Sequence, residues 1–285
     1  LEKKYSPHTV LAYWNDITSF ESFNAIHFEQ ENIDQVNYSQ IRSWIVSLVD
    51  ANVSNVSVNR KIASLKTYYK FLLKTKQIDS SPLLKHKALK TPKKIQIPFS
   101  EKEVDAVLVH LQNSTGFEAV RDKLIIDLFY TTGMRRTELI HLKLSNVNLS
   151  NNTIKVLGKR NKERILPLLP IVEQQLILFF NERAQLEKVI DSDYFFLTKK
   201  GIKLNESFVY RLINTYFSAV SVKVKKSPHI LRHTFATHLL NNGADLNSVK
   251  ELLGHSSLAS TQIYTHSSLL ELKKVYENAH PRNQK

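Results

Sequence analysis

The sequence predicts a mainly α-helical protein with one small β-sheet, divided into two domains. Three observations carry this. Apolar residues recur at helical spacing through most of the chain. All six glycines (116, 133, 158, 201, 243 and 254) lie beyond residue 100, so the first third reads as a separate all-helical unit. Strand-like alternation is confined to short stretches after residue 150. A length of 285 residues suits two domains of roughly 150 each.

The first helix starts at Ser6-Pro7, an N-cap followed by proline at the first helical position. Its predicted inward stripe is Val10, Tyr13, Trp14, Ile17 and Phe20. A second helix is expected over Ser39–Val49, with Ile41, Trp44, Ile45 and Leu48 inward. A third runs over Ser57–Thr75; Val58, Ile62, Leu65, Tyr68, Tyr69 and Leu72 face the core, and Arg60, Lys61, Lys66, Lys70 and Lys74 face away. The predicted division is a helical domain over 1–88, a linker over 89–98 and a second domain over 99–285. Residues 85–98 hold five lysines, no acid and the breakers Pro92 and Pro98. A solvated linker and a joint that closes on phosphates are both open readings of that composition.

Ser100 and Glu103 form a capping box at the start of the second domain. A buried helix is expected over 120–131, closed by Gly133. Two strands, Thr153–Leu157 and Arg164–Leu168, flank a basic hairpin loop. Tyr194–Leu197 reads as a further strand, and the remainder as helices over 170–188, 205–221, 228–241, 246–253 and 257–277.

Composition narrows the function. Lys+Arg number 40 against 26 Asp+Glu, a net charge of +14, while hydrophobic content of 42% is that of a globular chain. Residues 1–90 hold 12 basic and 8 acidic side chains, so most of the surplus belongs to the second domain. A polyanion is the expected partner. No apolar run approaches the roughly 20 residues of a membrane span, and no signal-peptide pattern opens the chain; the expectation is a cytoplasmic protein with no membrane partner. The absence of cysteine excludes disulfides, thiolate catalysis and zinc–cysteine sites.

Four segments hold polar groups that packing does not explain. Thr132-Gly133-Met134-Arg135-Arg136-Thr137-Glu138-Leu139 places an arginine in the first turn of a helix, the end that cations normally avoid. Lys159 sits in the hairpin loop; alone, it reads as a solvated lysine. Ser227-Pro228-His229-Ile230-Leu231-Arg232-His233 puts His229 and Arg232 on one helical face. His229 and His233 also have zinc-ligand spacing, but Ile230 and Leu231 stand where a metalloprotease needs its general-base glutamate. Leu253-Gly254-His255 breaks a helix capped by Asp245, and Tyr264 follows nine residues later. Together these segments offer two guanidinium groups, a lysine, two imidazoles and a phenol, with no carboxylate cluster fit for Mg²⁺. A cationic cradle of this kind stabilises a phosphoryl transition state without a metal.

With these motifs in this order, the chain resembles the tyrosine site-specific recombinases of the phage integrase family, and among them the Xer group. The resemblance rests on 132–139, on Gly-Lys-x-Asn-Lys-Glu-Arg at 158–164, on 229–233, on 253–255 and on Tyr264, and it covers nearly the whole chain. It implies a helical core-binding domain of SAM-like type and a mixed α/β catalytic domain that clamp duplex DNA. It implies that Tyr264 attacks the scissile phosphate and forms a 3′-phosphotyrosyl link. Arg135 and Arg232 would hold the non-bridging oxygens, Lys159 protonate the leaving 5′-oxygen, His229 assist as base, and His255 donate to the phosphate. Glu138 would orient Arg135. No cofactor or metal is implied. Arg60 and Lys66 are the expected DNA contacts of the first domain.

The resemblance further implies a homo- or heterotetramer on double-stranded recombination sites. The helix over 267–279 would dock into a neighbouring protomer, although its apolar residues suit packing in cis equally well. Xer-type resolution of chromosome dimers, with a septal DNA translocase as partner, is the favoured role; no arm-binding domain is expected before residue 1, though a trimmed N-terminus would remove one. The alternatives are an integrase or invertase of a mobile element and a non-catalytic helix-turn-helix DNA-binding protein built on 228–253. The last leaves Arg135, Lys159 and Tyr264 unexplained.

Overall fold

The fold is that of a computed structural model, which describes residues 5–92, 96–112, 114–158, 162–223, 225–254 and 266–283. The chain divides into two compact units, Leu1–Lys94 and Ile95–Lys285.

The first unit is built from α1 (Pro7–Phe28), α2 (Tyr38–Asp50) and α3 (Asn55–Lys74). Ser6 caps α1 by accepting from the Thr9 N–H at 3.2 Å, and Asn37 and Gln40 close a capping box on α2. The core gathers Phe20, Trp44, Ile62, Leu65 and Tyr69. The expected stripe of α1 is corrected: Val10 and Trp14 stand in solvent, and the buried residues are Asp16, Phe20 and Asn24. The reason is a polar seam. Asp16 is buried, and a buried carboxylate needs partners. It accepts from Arg60 at 2.5 and 2.7 Å, Lys61 at 3.1 Å and Ser64 at 2.7 Å, which turns α1 toward α3. The start of the lysine-rich stretch is fastened to α3. Asn59 bonds both the N–H and the carbonyl of Leu89 at 2.9 Å, and Asn55 bonds the Lys90 carbonyl.

The second unit opens with α4 (Glu101–Gln112), held by the expected Ser100–Glu103 box, and α5 (Phe117–Thr132). α5 is buried on every side, the position that its run Leu124–Tyr130 demands. It packs between α7 (Pro170–Ala184) and α9 (Pro228–Asn241). After α6 (Arg136–Ile140), β1 (Val147–Asn148), β2 (Thr153–Leu157) and β3 (Glu163–Pro167) form an antiparallel sheet in that order. The register pairs Val156 with Arg164 and Ile154 with Leu166. α8 (Glu206–Ser218), α10 (Leu246–Leu253) and α11 (His266–Ala279) complete the unit.

The strand expected at Tyr194–Leu197 is not one; it makes only single bridges, Lys143 to Tyr194 and Leu197 to Lys203. Phe195 and Phe196 pack on Phe179 instead, and Arg183 donates to the carbonyls of Ser192, Tyr194 and Phe195 that a ladder would have used. The C-terminal helix packs in cis. Leu272 and Tyr276 are buried, the Tyr276 hydroxyl donates to the Thr131 carbonyl at 2.7 Å, and Arg282 pairs with Asp127 at 3.1 Å. Among the described residues, no helix is long and apolar enough to cross a membrane.

Candidate active site

The site grows from two helix ends. α5 stops at Gly133, whose φ of +59° is left-handed; a Cβ there would lie 2.3 Å from Phe235, so both conformation and space call for glycine. This turn brings Arg135 to the N-cap of α6. There its backbone N–H donates to Glu138 Oε2 at 2.7 Å and its Nη1 to Glu138 Oε1 at 2.7 Å. α10, capped by Asp245, stops at Gly254 with φ +63°. A Cβ at Gly254 would come within 3.0 Å of the Arg164 side chain.

The carbonyls at the end of α10 have no partners within their own helix and carry the negative end of its dipole. Three guanidinium groups take them, one each. Arg164 Nε donates to Leu252 O at 3.0 Å, Arg232 Nη2 to Leu253 O at 2.6 Å, and Arg135 Nη2 to Gly254 O at 3.1 Å. Arg232 also donates to Gly133 O at 2.6 Å, which ties the two helix ends together. Arg164 forks onto both oxygens of Glu138 at 2.6 and 2.9 Å. Among the described residues Glu138 is the carboxylate paired with this cluster, shared by Arg135 and Arg164, so the cluster keeps a surplus of positive charge.

The charges respond as this packing requires. Burial disfavours the Glu138 anion, but hydrogen bonds from Arg164 and Arg135 outweigh it and hold the carboxyl below its usual range. Arg232 is pushed down to about 9, first by burial and then by Arg135 and Arg164, and still carries its proton at neutral pH. His229 stands in the first turn of α9 beside an open cleft of about 430 Å³ that Arg232, Gln96, Lys225 and Ser227 also line. Partial desolvation, then Arg136 and Arg232, lower its pKa, so the imidazole is neutral near pH 7. His233 is occupied elsewhere. Its Nε2 lies 3.1 Å from the Gln96 carbonyl, and because a carbonyl only accepts, that nitrogen carries the hydrogen.

Of the six expected catalytic residues, the structure brings Arg135, Arg232 and His229 to this site. Lys159, His255 and Tyr264 lie outside the described residues. Gly158 and Gly254, which precede two of them, both pack against Arg164. In the first unit, the Arg60 guanidinium is spent on Asp16, and Lys66 Nζ lies 3.5 Å from the His86 carbonyl. Arg164 is the residue missed from sequence. Its signal was present: in the alternation of β3 it falls on the inward face with Leu166, where an arginine needs a reason. Among the described residues no three His, Asp or Glu side chains are placed to share a metal ion.

Comparison with known proteins places both units of the chain in one family. A model of the phage integrase family matches residues 98–270, and one of the phage integrase N-terminal SAM-like domain matches residues 1–76. The tyrosine recombinase XerC of Chlorobaculum parvum (strain DSM 263 / NCIMB 8327) is 36% identical over 304 residues, covering 98% of this chain and 90% of the relative. The tyrosine recombinase XerD of Staphylococcus haemolyticus (strain JCSC1435) is 36% identical over 285 residues, covering 99% and 95%. In fold, the chain is similar to XerH site-specific recombinase bound to palindromic difH substrate in a post-cleavage complex. There the TM-score is 0.72 at 21% identity, over 97% of this chain and 78% of that one. With both of its domains matched in order, the chain belongs to the phage integrase family and is a site-specific tyrosine recombinase.

Proposed function

We propose that the protein cleaves and rejoins duplex DNA at a recombination site through a 3′-phosphotyrosyl intermediate, in an Xer-type role that resolves chromosome dimers. The observation that carries this reading is the surplus of guanidinium charge at the end of α10, where backbone carbonyls position Arg135 and Arg232 and Glu138 offsets only one of the three guanidinium charges. Each guanidinium has five N–H groups, so both retain donors for the non-bridging oxygens of a phosphate. That cradle stabilises charge as it develops on a pentacoordinate phosphorus.

In this mechanism the Tyr264 oxygen forms a bond to phosphorus as the bond to the 5′-oxygen breaks. Lys159 gives its proton to that 5′-oxygen, and neutral His229 receives the phenol's proton. His255 donates to the phosphate. The phosphodiester energy is kept in the tyrosyl link, so a partner strand's 5′-hydroxyl reverses the step. Residues 1–88 serve as core-binding domain, 89–98 as linker and 99–285 as catalytic domain. Lys66 and the exposed part of Arg60 meet the DNA backbone. Four protomers, of this chain alone or with a second recombinase, act on two sites, with a septal DNA translocase as partner.

A suicide DNA substrate and a denaturing gel test the chemistry. A covalent protein–DNA adduct is expected, unaffected by chelator and lost in Tyr264→Phe. An adduct that survives this substitution would remove Tyr264 as nucleophile, and inhibition by chelator would overturn the metal-free mechanism. Sequencing the DNA recovered with the protein from cells tests the role: one chromosomal site near the replication terminus is expected, whereas mobile-element ends would reassign it.

A further inference from the structure

We infer that Arg164 is a positioning residue for strand cleavage, setting the fork of Arg135 through the carboxylate they share. This rests on the function proposed above and adds a residue to it. Arg164 occupies the inner face of β3, opposite Val156, in a sheet whose other inward residues are apolar. A buried guanidinium is costly there unless every part of it is engaged, and an apolar side chain would hold the sheet without that cost. All of it is engaged, and every contact lies on the site. Its Nη1 and the Nη1 of Arg135 meet on one oxygen, Glu138 Oε1, at 2.6 and 2.7 Å. Its Nη2 fixes the other oxygen, which accepts from the Arg135 backbone. Its Nε holds the Leu252 carbonyl, one residue before the carbonyl that Arg232 uses.

Two glycines show how closely the neighbouring segments rest on it. A Cβ on Gly158 would lie 3.6 Å from Arg164 Nη1 and 3.6 Å from Glu138 Oε1; a Cβ on Gly254 would lie 3.0 Å from Arg164 Cδ. Gly158 leads into the loop with Lys159, and Gly254 leads to His255. One side chain therefore abuts the arginine cradle and the stems of both segments. Displacing a reacting group by about 1 Å costs on the order of a hundredfold in rate, so a residue that fixes the Arg135 fork acts on the rate without touching DNA.

The test is Arg164→Lys, which keeps the positive charge facing Glu138 but lacks the planar fork that spans two oxygens and a carbonyl. Single-turnover adduct formation on a suicide substrate at saturating DNA should fall by about tenfold to a hundredfold. The DNA concentration giving half-maximal adduct should stay at its wild-type value. Because Arg164 acts through Arg135, adding Arg164→Lys to Arg135→Lys should slow cleavage no further than Arg135→Lys alone. Losses that multiply in the double variant, or equal losses of binding and cleavage, would overturn the inference. Should Arg164→Lys lack the wild-type circular dichroism spectrum, Glu138→Gln with Arg164→Met removes both buried charges; cleavage at the wild-type rate by that variant would also overturn it. Wild-type protein that forms no adduct sinks the recombinase mechanism itself, whereas a wild-type rate in folded Arg164→Lys sinks only the role of Arg164.

Discussion

Each unit of the molecule buries a carboxylate ringed by cations, and the two rings are closed in different ways. In the first unit Asp16 takes Arg60, Lys61 and Ser64, and the Arg60 side chain is 51% exposed. Burial disfavours its charge, and the three donors reverse that and lower its pKa. In the second unit Glu138 takes Arg135 and Arg164, while both Arg232 amines, one Arg135 amine and the Arg164 Nε–H donate to backbone carbonyls. Asp16 meets one half-solvated arginine and one lysine, so the ring opens to water through Arg60 and is a staple between α1 and α3. Glu138 meets guanidinium groups that the fold shields from water, and the carbonyls that share them bring only partial charge. A helix end can therefore position an arginine without cancelling it, which a carboxylate cannot do. That is the physical distinction between an ion pair that holds a fold and one that leaves a site ready for an anion.

Truncating both carboxylates should separate the two rings most sharply. Glu138→Ala leaves two shielded guanidinium groups without their counter-ion, and a loss of about 3–5 kcal/mol in unfolding free energy is expected, together with loss of adduct formation. Asp16→Ala frees cations that can turn to solvent, so about 1–3 kcal/mol is expected, with adduct formation retained at saturating DNA. Urea denaturation and the suicide-substrate gel read both. Equal stability losses, or loss of adduct formation in Asp16→Ala, would break the distinction.

How much of this was visible beforehand follows the same line. Helix ends marked by local chemistry were legible: Ser6-Pro7, the Ser100–Glu103 box, and the Asp245-to-Gly254 helix, whose expected bounds 246–253 are those observed. Gly133 and Gly254 were legible as stops because a positive φ leaves few other residues. What depended on partners far along the chain was not. Asp16 lies off the stripe drawn for α1, and its partners come 44 to 48 positions later. Tyr194–Leu197 has the composition of a strand, but aromatic packing and Arg183 replace the ladder. Arg164 closes a motif in the sequence, and only its inward position in an alternating strand marks it as engaged.

A third buried carboxylate gives the comparison a sign. Asp127 faces Arg282, but one of its oxygens is buried with no hydrogen-bond partner among the described residues, and burial outweighs the pairing: its pKa is pushed up to about 6. A carboxyl raised above its unfolded value of about 3.9 binds its proton more tightly in the folded state, so stability falls as pH rises through the window from about 4 to about 6. Asp16 and Glu138, with lowered values, lose their contribution as pH falls. Asp127→Asn should therefore gain on the wild type by on the order of 2 kcal/mol between pH 4 and pH 6, then run parallel to it at higher pH. Denaturation across that range checks it; a difference that is flat or that narrows with rising pH would show that Arg282 fully compensates the charge.

The smallest effect reads the surplus charge itself. His229 is lowered by partial desolvation and then by Arg136 and Arg232, while Glu206 pulls the other way. Glu206 is also the partner of Arg136, so Glu206→Gln removes one negative charge and leaves Arg136 unneutralised. If the guanidinium cluster keeps its positive surplus, His229 in the wild type should titrate below its ordinary value of about 6.5. In Glu206→Gln it should move further down, by a few tenths of a pH unit at low salt and less when salt screens it. Nuclear magnetic resonance of the His229 ring carbon gives both values directly. The acid limb of adduct formation should shift by the same amount and in the same direction, because in the proposed mechanism neutral imidazole accepts the phenol's proton. A wild-type His229 value at or above about 6.5 would mean that the cluster is already neutral where His229 meets it, and the contrast with the Asp16 staple would fail at the site it was meant to explain.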